Sequence, residues 1–227
     1  MQAARRLFAY AQKLSRRDIE TQRWAIEDAV SRNDIPGALK YYDTALRTSA
    51  DAPTLMYPIL TSAVSDPAIR AALVKTLAGR PLWSQSFTDY VAIKGSDPRS
   101  TADLFQKLRH VGVSVSEEAK AATINGLITS GLLEEAWRYY ASVRPGANRR
   151  TSRDPRFSAG IANPSAFDWT PVSEAGISTS LQRGSQGGVF DFSAPASIGG
   201  ILLQQMQMLP SGEYRIEGHS LDIDQPP

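Results

Sequence analysis

The chain has 227 residues, 25 Lys+Arg against 23 Asp+Glu, and 42% apolar residues, enough for one large domain or two modest ones. It has no cysteine, which excludes disulfides, thiol nucleophiles, cysteine-type zinc sites and iron–sulfur clusters. Charge is uneven: residues 1–150 carry 21 Lys+Arg against 15 Asp+Glu and residues 151–227 only 4 against 8, which suggests two units with different work.

The opening stretch, MQAARRLFAYAQKLSRRDIE, has early arginines, but Gln12 and Lys13 interrupt its apolar residues, so no signal-type apolar core forms. No run approaches the ~18 apolar residues of a spanning helix. The expectation is a soluble chain without a membrane span.

The first two-thirds reads as helix. Ala38, Tyr41, Tyr42, Ala45 and Leu46 fall at i, i+3, i+4, i+7 and i+8, the apolar stripe of an amphipathic helix. Asp34 is placed to cap it, and Pro36 sits in the first turn, where its missing N–H does no harm. The same phrase returns 98 positions later, with Ala136, Tyr139, Tyr140 and Val143 at the same spacing. Each copy follows another helical segment, 18–31 and 116–130, and Gly131 is placed to end the latter. Between the copies, breaks at 49–53, 65–67, 79–81 and 95–98 separate helices expected at about 53–64, 67–78, 82–94 and 99–110. Helices of ~12 residues do not persist alone in water and must pack on neighbours. The 98-residue offset divides into three periods of about 33.

These residues carry a resemblance. NDIPGALKYYDTAL looks like the turn and second helix of a tetratricopeptide repeat, and TINGLITSGLLEEAWRYY resembles the same family or its pentatricopeptide cousin. The likeness covers roughly 17–48 and 116–145; residues 50–112 depart from it and look like degenerate or HEAT-like hairpins. It implies an α-solenoid whose groove holds a protein or peptide partner.

From Arg144 the texture changes. Residues 144–164 hold five arginines (Arg144, Arg149, Arg150, Arg153, Arg156) and three prolines without apolar periodicity, which reads as an exposed linker. Period-2 writing follows: Ile177, Thr179 and Leu181; Phe190 and Phe192 after the turn RGSQGG; then 201–209; then Tyr214 and Ile216 after PSG. Four or five antiparallel strands are expected, with Phe190, Phe192 and Tyr214 inward and Gln182, Asp191, Gln205, Gln207, Arg215 and Glu217 outward. One such sheet leaves an apolar face uncovered. The stretch from FDW onward weakly resembles a jelly-roll or galactose-binding-like sandwich, of which this would be an incomplete piece. The expectation is therefore a chain cut from a longer one, or a sheet covered by the helices or by a second copy. The sandwich-plus-repeat resemblance implies a bacterial periplasm or cell envelope and polysaccharide-related assembly.

The fold class expected is thus α+β multidomain: helical repeats over 1–145, a linker over 146–165 and a small antiparallel β domain over 166–227. Catalytic signals are weak. GISTSLQRGS lacks the G-x-S-x-G of a nucleophile elbow, and His110 and His219 have no motif to position them as bases. No metal-ligand spacing occurs, Asp222 and Asp224 reading as a solvated acidic tail. RGSQGG feeds a strand rather than a helix N-terminus, so it is a hairpin loop and not a phosphate cradle. Glu117, Glu118, Glu134 and Glu135 fall in first turns, where acids complement the helix dipole. No catalytic residue, metal or cofactor is assigned. The expectation is a non-enzymatic scaffold with a protein or peptide partner. The alternative is a carbohydrate-binding module using Gln205, Gln207, Arg215, Glu217 and Trp169; Trp169 is also read as a core anchor. A third, less favoured reading is RNA binding through the basic half and the linker arginines.

Overall fold

A computed structural model describes residues 10, 18–160, 162–172, 174, 176–184 and 187–218. Eight helices are described from residue 18 onward: α1 Ile19–Ser31, α2 Ile35–Thr48, α3 Ala52–Ala63, α4 Pro67–Ala78, α5 Ser84–Lys94, α6 Pro98–His110, α7 Glu117–Thr129 and α8 Leu133–Val143. The starts are set by short polar side chains. Asp18, Asp34, Asp66, Asp97 and Ser116 each accept a hydrogen bond from a backbone N–H one turn inside. Pro36, Pro53, Pro67 and Pro98 occupy first turns, where no intrahelical donor is lost. Gly131, at φ +74°, supplies the left-handed residue that turns the chain from α7 into α8.

From α2 onward each helix packs on the one two places later: α2 on α4, α3 on α5, α4 on α6, α5 on α7 and α6 on α8. That divides the array into a layer of first helices (α1, α3, α5, α7) and a layer of second helices (α2, α4, α6, α8). First helices begin at 19, 52, 84 and 117, a step of 32 or 33 residues. The expected middle hairpins therefore fall in register with the outer two, although their residues depart from the repeat pattern. Aromatic side chains fill the contacts there: Tyr57 on α3 meets Phe87 on α5 edge-on, with centroids 5.5 Å apart, and its hydroxyl hydrogen-bonds Ser86 Oγ at 2.7 Å. In the second layer Arg70 of α4 is buried and donates to Asp103 of α6 (2.6 Å), to Val64 O (2.6 Å) and to Ser100 Oγ (3.2 Å). Fully buried Ala29, Ala45, Ala52, Ala119 and Ala136 let neighbouring backbones approach closely.

The β region is smaller than the alternation implied. β1 (Thr170–Pro171) pairs antiparallel with β4 (Leu203–Gln204), and β2 (Ser178–Gly184) pairs antiparallel with β3 (Gly187–Ser193), with Leu181 opposite Phe190 and Thr179 opposite Phe192. These are two two-stranded ladders, not one sheet. The strands expected over the rest of 201–209 and around Tyr214 and Ile216 do not form. Alternation names a face but supplies no backbone partner, and here the backbone finds others: Met206 N–H donates to Ala166 O at 2.8 Å, and Met208 packs on the helical core. Phe192 and Tyr214 are exposed rather than inward, and Ile216 is 99% exposed.

Residues 146–165, expected as an exposed linker, are fastened at several points. Arg149 pairs with Glu134 at 2.6 Å and lies 5.5 Å over the Trp137 ring. Arg156 O accepts from Gly188 N–H at 2.6 Å, and a side chain at Gly188 would collide with Phe157 O. Phe167, 1% exposed, sits between Trp137 and Tyr140 of α8, with centroids 5.3 and 5.1 Å away. It joins the β region to the helical core. Phe167→Ala should cost about 3–5 kcal/mol in chemical denaturation and speed proteolytic cleavage within 146–165; an unchanged midpoint and cleavage rate would show that the two parts are held together elsewhere.

Candidate interaction groove

The second-helix layer carries an open groove of about 370 Å³. Along one wall run Pro36, Leu39, Lys40, Asp43 and Arg47, all from α2; the other is the end of α4 and the turn after it, with Thr76, Gly79, Arg80, Pro81 and Leu82. Pro36 to Arg47 spans eleven residues of helix, roughly 16 Å at ~1.5 Å per residue.

Local sequence fixes this shape. α4 ends at Ala78, and Arg80 takes a left-handed backbone (φ 50°), its N–H bonded to Leu77 O at 2.9 Å. Pro81 follows, so the helix cannot continue. The turn is tied to the opposite wall by the Trp83 indole N–H, which donates to Asp43 Oδ1 at 2.9 Å, while the ring itself is buried. Leu82, between two anchored residues, is left 94% exposed at the rim. Arg47 reaches Asp43 Oδ2 at 3.4 Å, and Arg80 Nη2 donates to Gly112 O at 3.0 Å. Lys40 is exposed and makes no ion pair among the described residues. Three cations and one carboxylate therefore line an open trough with an apolar lip.

A second polar cluster lies at the last hairpin. Asp168, 1% exposed, accepts from Tyr140 Oη (2.9 Å) and from Ser165 N–H and Oγ (3.0 and 2.8 Å). Arg144 and Arg153 stand 4.0 and 3.9 Å from its two oxygens. Arg144 also donates to Glu117 at the start of α7. Burial, and then the Asp168 charge, push the Tyr140 hydroxyl well above the ordinary phenol range. Burial alone would raise Glu117, but hydrogen bonds from Lys120 and Arg144 outweigh it and hold the carboxyl below its usual value of 4.5. This cluster fastens the chain after α8 onto α7 and α8.

Several of the five residues expected to form a sugar-binding face hydrogen-bond or pair within the molecule. Gln205 is occupied with the segment before the strands: its Oε1 accepts from Ser152 Oγ (2.8 Å) and Arg153 N–H (3.3 Å), and its Nε2 donates to Arg153 O (3.0 Å). Gln207 donates to Gln205 at 2.6 Å. Arg215 and Glu217 pair with each other on an exposed segment outside either ladder. Trp169 is half-buried edge-on against Phe157, with centroids 5.7 Å apart. Of the linker arginines, Arg144 and Arg149 pair with glutamates and Arg153 lies beside Asp168. His110 ends α6, with Nδ1 2.7 Å from Gln106 O. Asp222, Asp224 and His219 lie outside the described residues, among which no group of three potential metal ligands occurs. Nor is any described helix long and apolar enough to cross a membrane.

Comparison with known protein families, with curated proteins and with solved structures found no match to this chain.

Because the Glu117 carboxyl is held below its unfolded value, its pairing stabilises the fold above that unfolded value, and the contribution is lost as the pH falls from there through the lower folded value. With its side chain 45% exposed, solvent screening limits the contribution to less than about 1 kcal/mol. Urea titrations at neutral and acidic pH should show a smaller drop in midpoint for Glu117→Gln than for the parent; an identical drop would remove this pair from the acid response.

Proposed function

We propose that this chain is a non-enzymatic binding protein, a tetratricopeptide-like array that holds an extended segment of a partner protein in the groove between α2 and the turn after α4. The observation that carries the reading is the trough itself: it is about 16 Å long by the helix rise, walled by two stacked repeats, and its rim residue Leu82 is 94% exposed. An extended peptide of about five residues covers that length at ~3.3 Å per residue. Apolar surface standing open beside charge is what a partner segment would cover. The step of 32 or 33 residues between first helices and the buried alanines Ala38, Ala45 and Ala136 support the repeat reading. A glycan site has less behind it, since Gln205 and Gln207 spend their amides within the molecule. RNA binding loses the linker arginines that are paired internally.

Random-sequence peptide display on the full chain tests this. Enriched peptides should bind, and Leu82→Ala combined with Lys40→Ala should weaken them at least about tenfold, equivalent to ~1.4 kcal/mol, with helicity unchanged. Failure to enrich any peptide, or equal binding by the variant, would overturn the proposal.

A further inference from the structure

We infer that the segment held in this groove is acidic, with carboxylates set against Lys40, Arg47 and Arg80 and an apolar side chain seated on Leu82. This rests on the reading of the groove as a peptide site and adds the chemistry of its occupant. Among the described residues the lining has a net positive charge, three cations against one carboxylate. That carboxylate, Asp43, has both oxygens engaged, Oδ1 by the Trp83 indole and Oδ2 by Arg47. Arg47 keeps its remaining donors, its side chain being 59% exposed. Arg80 gives Nη2 to a neutral carbonyl, Gly112 O, which orients the guanidinium without neutralising it. Lys40 makes no ion pair among the described residues.

The spacing suits an extended chain. Lys40 and Arg47 lie seven residues apart on α2, roughly 10 Å by the helix rise. An extended peptide covers that in about three residues, so carboxylates two to four positions apart meet both cations. Arg80 faces them from the opposite wall, where a side chain of the other alternation would reach it. Between them Leu39 is buried in the floor and Leu82 stands up at the rim, flanked by Pro36 and Pro81. The same cations would attract a polynucleotide, but sites for single-stranded nucleic acid combine a basic groove with aromatic rings on which bases stack. Among the described residues no aromatic side chain lines the groove, the neighbouring Trp83 ring being buried. Charge with an apolar lip and no stacking platform favours an acidic peptide.

The test uses the full chain and three labelled probes read by fluorescence anisotropy. These are a short peptide with two acidic residues flanking a leucine, the same peptide with lysines for the acids, and a single-stranded RNA oligonucleotide. The acidic peptide should bind best and weaken as salt is raised. Lys40→Glu plus Arg80→Glu should lower its affinity at least about tenfold and shift preference to the lysine peptide. Lys40→Glu alone, at an exposed mid-helix position, should act in the same direction and keeps the test open if the double variant unfolds. Equal binding of the two peptides, or indifference to charge reversal, overturns the inference; so does RNA binding that tracks the same substitutions, which would make the occupant a nucleic acid. If display-selected peptides occupy the groove but are neutral, this inference fails while the peptide-binding reading stands. If nothing binds there, both fail.

Discussion

The described helices are too short to hold themselves together, and from α2 to α6 each leans on the helix two places along. Runs of 11 to 14 residues lie at or below the length at which an isolated helix is stable in water, so the stacking contact carries the fold. That constraint explains where the polar residues went. Caps and first-turn prolines set the ends, leaving the sides free for aliphatic and aromatic packing. Where a charge had to enter the interface, as Arg70 does between α4 and α6, it is surrounded by a carboxylate, a carbonyl and a hydroxyl.

A stack must also end, and its last helix exposes a face that a further repeat would have covered. Here Phe167 fills that place against Trp137 and Tyr140, and Asp168 beside it accepts the Tyr140 hydroxyl. The segment after α8 thus serves as a lid on the array, and the two ladders build outward from it. Its arginines act as internal fasteners, Arg144 to α7 and Arg149 to α8.

Much of the helical part was legible. Asp–Pro pairs, Asp66–Pro67 and Asp97–Pro98, are local signals whose effect does not depend on the rest of the chain, and α4 runs from Pro67 to Ala78 as the breaks imply. The middle hairpins were harder to read because stacking demands complementary volume, not particular letters; Tyr57, Trp83 and Phe87 fill the contacts there. The β region was legible from 177 to 193 only; the short β1 (Thr170–Pro171) was not foreseen. β2 and β3 are near neighbours in the chain and pair with each other, whereas 201–217 needed a distant partner, and within it Leu203–Gln204 forms a ladder, with Thr170–Pro171. The groove was hidden for a related reason. Lys40 and Arg47 look like an ordinary solvated helix face, and GRPLW looks like a break; the stacking of α2 on α4 and the Trp83–Asp43 bond, between residues 40 positions apart, bring the two together.

That bond ties α2, in the first hairpin, to the residue that opens the third. The width of the trough is therefore set by the pitch of the stack rather than by any one helix. In such a stack curvature and twist follow from the small rotation at each repeat, and each repeat touches only its neighbours. A change in that rotation between the first two hairpins would open or close the trough without any movement inside α2 or α4.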